Sequence, residues 1–254
     1  MLLLLCAVVS SVARAAPQPP HSLQAAMDFD CGFKQEMMRP KMSRNGDILC
    51  YYGQINAETE RLFRTNLTRD IRYLIVRSSG GEMFAAKNIG QMLERVQPAI
   101  IVDRICASGC AYYFFLPLER KVIKRHSFVG FHGGPPETRD KLFKTAAGAA
   151  FFSNATRQDQ RRILAKWRDL LDWQNAMLKR TGVNKMLIYW NPAKRIRKDL
   201  EPGCYAPNKP IWAPSPKTLK SFGVKGLMSA WYPASYRDMY RFGKEHDPHS
   251  CLVP

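Results

Sequence analysis

The stretch "IRYLIVRSSGGEMFAAKNIGQMLERVQPAIIVDRI", Ile71 to Ile105, most constrains what this chain can fold into. "IRYLIVRS", Ile71 to Ser78, is rich in β-branched residues and closes on Gly80-Gly81, which predicts a buried strand. "EMFAAKNIGQMLERV", Glu82 to Val96, carries apolar residues at helical spacing without proline, and "PAIIVDRI", Pro98 to Ile105, returns to strand. A second helix is expected in "SGCAYYFFL", with two more short strands in "RKVIK" and "SFVGFH". Strand, helix and strand with short connections mean parallel strands joined by right-handed crossovers, an α/β fold. Sites in such sheets gather at the carboxyl ends of the strands, where both Gly80-Gly81 and Ser108 fall.

The flanks are less regular. From Phe143 to Gly182 the pattern is helical. Trp167, Leu170, Leu171, Trp173 and Met177 alternate with charged residues, as on an amphipathic helix packed against a core rather than a ligand-binding stripe. A proline-broken region to Trp212, a short helix from Ser215 to Phe222 and a tyrosine-rich basic tail follow. No internal repeat is visible, and 254 residues with 46% hydrophobic content allow a substantial single core.

The chain opens "MLLLLCAVVSSVARAAPQPP". Its apolar run, Leu2 to Ala13, is shorter than the roughly 20 residues a membrane span needs, and the A-x-A pattern Ala13-Arg14-Ala15 follows. Residues 1–15 are therefore expected to be a secretory signal peptide. No Lys or Arg precedes the run, so the true start is left open. Periplasmic or secreted residence follows. The six cysteines beyond Cys6 suit an oxidising compartment, and proximity favours Cys31 with Cys50, Cys106 with Cys110 and Cys204 with Cys251.

The net charge of +18 favours anionic partners such as an envelope surface. The basic residues are scattered and no nucleic-acid motif is present, so nucleic acid is not expected. Cys106 and Cys110 with His126 or His132 lack the C-x2-C spacing of structural zinc sites, so no metal is expected, and no cofactor signature is visible.

A serine hydroxyl is a poor nucleophile until a base takes its proton and donors stabilise the oxyanion. Ser108, in "DRICASGCAYYFF", sits between a strand and a helix, with the Gly109 amide directed into the same space. Gly81 ends the neighbouring strand, and His132 closes "SFVGFHGG". Taken alone, Ser108 reads more simply as a small residue needed for tight packing. In company with the glycine pair and the histidine it reads as a nucleophile. "HGG" also occurs in esterases of the α/β-hydrolase fold, but there it precedes a serine flanked by glycines, whereas Cys106 and Cys110 hold those positions here.

The order "SSGG", then serine in "CASGCA" 27 residues beyond Gly81, then His132 24 residues later, resembles the proteolytic subunit of the Clp protease and its periplasmic-type relatives in the ClpP/crotonase superfamily. The match runs from about Ile71 to Gly134, and "SPKTLKSFGVKGL" is similar to the family's C-terminal segment. The resemblance implies a ClpP/crotonase-like spiral of βαβ units over residues 46–230. An N-terminal extension of residues 16–45 adds strands, and an irregular tail covers 231–254. It implies a serine peptidase in which Ser108 is the nucleophile, His132 the base, and Gly81 and Gly109 the oxyanion donors. The substrate would be a peptide or unfolded polypeptide, and homo-oligomerisation is implied by analogy alone.

The family's orienting acid has no counterpart in "APNKPIWAP". Asn191, Asp199, Asp169 and Asp172 remain as alternatives, alongside no third group at all. A serine–lysine dyad using Lys121, Lys124 or Lys166 is a mechanistic rival. A non-catalytic envelope protein that binds an anionic partner is the rival of another class.

Overall fold

The computed structural model describes residues 21–33, 39–189, 211–233, 238 and 250–253. The proposed signal peptide lies outside the described residues, as do Asn191, Asp199 and Cys204. The first elements are α1 (Leu23–Asp28), β1 (Lys41–Asn45), β2 (Ile48–Tyr52), α2 (Ala57–Asn66), β3 (Tyr73–Ser78), α3 (Met83–Val96) and β4 (Ala99–Ala107). A π-helical turn, Ala111–Phe115, replaces the expected second helix, and β5 (Lys121–Ile123) and β6 (Phe128–Gly130) follow. Then come α4 (Arg139–Lys144), α5 (Ala146–Asn154), α6 (Arg157–Thr181) and α7 (Met186–Tyr189). The last are β7 (Ile211–Pro214), α8 (Pro216–Ser221), β8 (Leu227–Ala230) and β9 (Ser250–Val253).

The fold is α/β with a mixed, mostly parallel sheet. Seven of the described strands join in the order β1-β2-β3-β4-β5-β8, with β6 attached to β4. Only the β1–β2 hairpin within this sheet is antiparallel. Strand β4 changes partner along its length: Ile100–Val102 pair with β5, whereas Ile105–Ala107 pair with β6. The change falls at Arg104, a left-handed residue (φ 67°) whose N–H donates to Ser127 Oγ at 2.7 Å. An irregularity there re-aims the strand, as bulges do, and it carries the end of β4 onto β6, next to His132.

Both faces of the central strands are buried, which explains their nearly continuous apolar sequences. Leu74, Val76, Ile100 and Val102 face a core completed by Phe63 of α2, Ile89 and Leu93 of α3, Phe114 and Phe115 of the π-helical turn, and Leu170 and Met177 of α6. Tyr73, Ile75, Ala99 and Ile101 face the opposite way, toward Leu23, Ala26, Met27, Phe29 and Phe33. The N-terminal segment thus covers the second face. It is tied there by the Cys31–Cys50 disulfide and by His21, whose Nδ1 lies 2.6 Å from Asp47 Oδ1.

The helical stretch after Phe143 is divided at Thr145 and again at Ala155, after which Thr156 caps α6 by accepting from the Asp159 N–H. From Trp167 onward α6 packs its apolar side inward. Among the described residues no helix is long and apolar enough to cross a membrane.

Candidate active site

Ser108 follows the last residue of β4 in left-handed conformation (φ 54°), which turns the chain sharply from strand into helical turn. Its N–H donates to Gly130 O of β6 at 3.0 Å, fixing the turn against the strand that leads to His132. The Cys106–Cys110 disulfide spans the same turn, with both sulfur-bearing side chains fully buried. With these thiols oxidised to each other, neither is a thiolate ligand for a metal.

Strand β6 delivers His132 to the hydroxyl: Nε2 lies 2.6 Å from Ser108 Oγ. The residue itself is open to solvent, while partial desolvation of the ring holds its pKa below the ordinary 6.5. A hydrogen bond to its own backbone opposes that shift. In the tautomer whose proton sits on Nδ1, Nε2 accepts from the serine hydroxyl. Desolvation thus favours the uncharged imidazole, the form able to take a proton.

The glycines meet beside this pair. Ile55 N–H donates to Gly80 O and Glu82 N–H to Ile55 O, both at 2.8 Å, forming a parallel bridge opposite Gly81. In a parallel bridge the flanked residue turns its own N–H away from that neighbour. Gly81 therefore turns both its N–H and its C=O to the Ser108 side, and a Cβ built on Gly109 would lie 3.7 Å from Gly81 N and 3.7 Å from Gly81 O. Gly109 opens the helical turn, so its N–H is one of the donors that no carbonyl within the turn can satisfy. The structure thus brings together Ser108, His132, Gly81 and Gly109: an alcohol, a base and two amides.

No carboxylate completes a triad among the described residues. Asp169 lies 2.5 Å from Lys87 Nζ, an ion pair between α6 and α3, and Asp172 is exposed on α6. Lys121 does not substitute for the histidine. It pairs with Ile100, seven residues before Ala107, which at about 3.3 Å per residue puts it roughly 23 Å away at the other end of the sheet. There its Nζ donates to Leu118 O and Lys225 O, and burial pulls its pKa down to about 8. It lines a cavity of about 440 Å³ with Arg180 and Lys225, remote from the serine. Lys124 is half-buried and Lys166 exposed, and the hydrogen-bond partner of Ser108 Oγ among the described residues is His132.

Three aromatic residues hold the loop after His132, and of these the sequence singles out Trp167 alone, as a packing residue. Tyr112 Oη donates to Gly133 O at 2.8 Å, Tyr189 Oη to Pro135 O at 3.0 Å, and Trp167 Nε1 to Pro136 O at 3.0 Å. The available signal was the position of Tyr112 one helical turn after Ser108.

No known protein-family model matches the chain, and no curated protein matches it in sequence.

Proposed function

We propose that the chain is an exported serine hydrolase of the ClpP/crotonase-like spiral type, cleaving peptide bonds by acyl transfer. The observation that carries this reading is the 2.6 Å approach of His132 Nε2 to Ser108 Oγ beside the amides of Gly81 and Gly109. Ser108 Oγ attacks the carbonyl carbon of the substrate while Nε2 takes the hydroxyl proton. The former carbonyl oxygen becomes an oxyanion and accepts from the two glycine amides. The intermediate collapses as the imidazolium gives its proton to the leaving amine, and water, activated by the same histidine, releases the acyl group. The two disulfides suit the oxidising compartment that export implies.

The absence of a described carboxylate beside His132 favours a second reading, a non-catalytic envelope protein. It would use exposed basic residues such as Arg157, Arg161, Lys166 and Arg168 of α6 to hold an anionic partner.

Labelling with a fluorophosphonate separates the two. The hydrolase reading expects a single adduct on Ser108 that disappears in Ser108→Ala. The base must be neutral to act, so the rate is flat above neutrality and falls as pH drops through a midpoint below 6.5. A folded wild-type chain that never labels supports the binder.

A further inference from the structure

We propose that Tyr112 is the positioning residue of His132, acting through the backbone where a carboxylate acting on the ring would be the usual device. The Tyr112 hydroxyl accepts from the His132 N–H at 2.9 Å and donates to Gly133 O at 2.8 Å. One oxygen therefore binds the peptide group just before the His132 α-carbon and the one just after the Gly133 α-carbon, pinning at both ends the two residues of main chain from which the imidazole projects. The phenol ring flanks the imidazole, with ring centroids 6.1 Å apart, and limits its rotation.

Tyr112 is itself held by burial and by its main chain. It lies in the buried π-helical turn, 4% exposed, and its N–H donates to Ser108 O at 2.9 Å. Nucleophile and base are thus referenced to one side chain: Ser108 through the Tyr112 main chain, His132 through the Tyr112 hydroxyl. Burial pushes the phenol pKa upward, so the hydroxyl keeps the proton it donates to Gly133. Among the described residues the His132 pKa is set by burial and by a hydrogen bond to its own backbone, not by a charged neighbour.

The kinetic part of this inference rests on the hydrolase reading; the structural part does not. The experiment follows the His132 imidazole resonance against pH in the full chain, alongside fluorophosphonate labelling, for wild type, Tyr112→Phe and Tyr73→Phe. Tyr73→Phe is the matched control: it removes a phenol-to-carbonyl hydrogen bond, to His21 O, on the far face of the sheet. Tyr112→Phe is expected to slow labelling about 10- to 100-fold, the effect of a small misplacement of a reacting group. It is also expected to raise the His132 midpoint toward 6.5 as the freed ring becomes hydrated, whereas Tyr73→Phe changes neither.

A Tyr112→Phe chain that keeps the wild-type midpoint overturns the proposal, whether or not the serine labels. A wild type that does not label, combined with a midpoint that moves in Tyr112→Phe, removes the hydrolase reading and leaves the positioning role standing. Should Tyr112→Phe not fold, wild-type amide exchange decides: slow exchange at His132 supports the bond to the phenol oxygen, and exchange at the rate of an open loop refutes it.

Discussion

Gly80→Ala is expected to silence Ser108 while leaving the serine and the histidine in the chain. Gly80 has φ +98°, a conformation that L side chains rarely adopt. A Cβ there would lie 2.6 Å from Ala107 O, 2.6 Å from Ser108 Cβ and 2.9 Å from Gly109 N. Most of these neighbours are backbone, so no flexible side chain can swing aside. The Gly80 peptide cannot retreat either: its N–H donates to Ser78 Oγ and its carbonyl accepts from Ile55 N–H. The relief left is separation of the Gly80-Gly81 turn from the Ser108-Gly109 turn, which takes apart the pair of amides. Backbone strain and overpacking together cost about 2–5 kcal/mol. Loss of an oxyanion donor lowers the reaction rate about 10²- to 10³-fold. Thermal melting and fluorophosphonate labelling below the melting temperature measure the two effects, and labelling at the wild-type rate would refute the account of the glycine pair. Gly109→Ala should be milder, because its added Cβ meets only the Ala86 side chain closely, at 3.1 Å.

The two disulfides are expected to separate stability from activity. Cys31–Cys50 closes 19 residues and ties the N-terminal cover to β2, far along the strand direction from Ser108. Cys106–Cys110 closes only four and holds the nucleophile turn. On loop entropy alone, removing the first costs about 3 kcal/mol and removing the second about 2 kcal/mol. For the reaction the order reverses. Cys31→Ala with Cys50→Ala leaves labelling of Ser108 near wild type in the folded chain. Cys106→Ala with Cys110→Ala frees a left-handed serine from the clamp that holds it, and labelling falls by about 10-fold or more. Equal labelling by the two double variants would show that the short bridge does nothing for the nucleophile.

Much of this arrangement is legible in the residue order. The run from Ile71 to Ile105 gives β3, α3 and β4 nearly to their ends because period and composition change sharply at Gly80-Gly81 and at Pro98. The placing of Gly81 and Ser108 at carboxyl strand ends follows from the same alternation. Chain proximity also suffices for Cys31–Cys50 and Cys106–Cys110. The remaining expected pair includes Cys204, outside the described residues.

Other features depend on long-range packing that local pattern does not encode. The change of partner along β4 turns on Arg104, an ordinary strand position by composition that is left-handed because Ser127, 23 residues later, accepts from its N–H. The apolar run Ala111 to Phe115 has no helical period of its own to distinguish an α-helix from a π-helical turn. Tyr112 reads as one more core aromatic, since nothing nearby in sequence shows that its hydroxyl meets residues 132 and 133. The stretch before β1 reads as an appendage, yet Leu23, Ala26, Met27 and Phe29 close one face of the sheet.

The central claim is that one alcohol and two main-chain amides converge on a single reacting carbon. A crystal structure with a peptide boronate tests it most directly, because boron bound to a nucleophile takes the tetrahedral shape of the reaction intermediate. The account predicts a bond from boron to Ser108 Oγ, with one boronate oxygen about 2.7–3.1 Å from the amide nitrogens of both Gly81 and Gly109. A boronate that leaves Ser108 unmodified, or whose oxygens all lie away from those two amides, would contradict it.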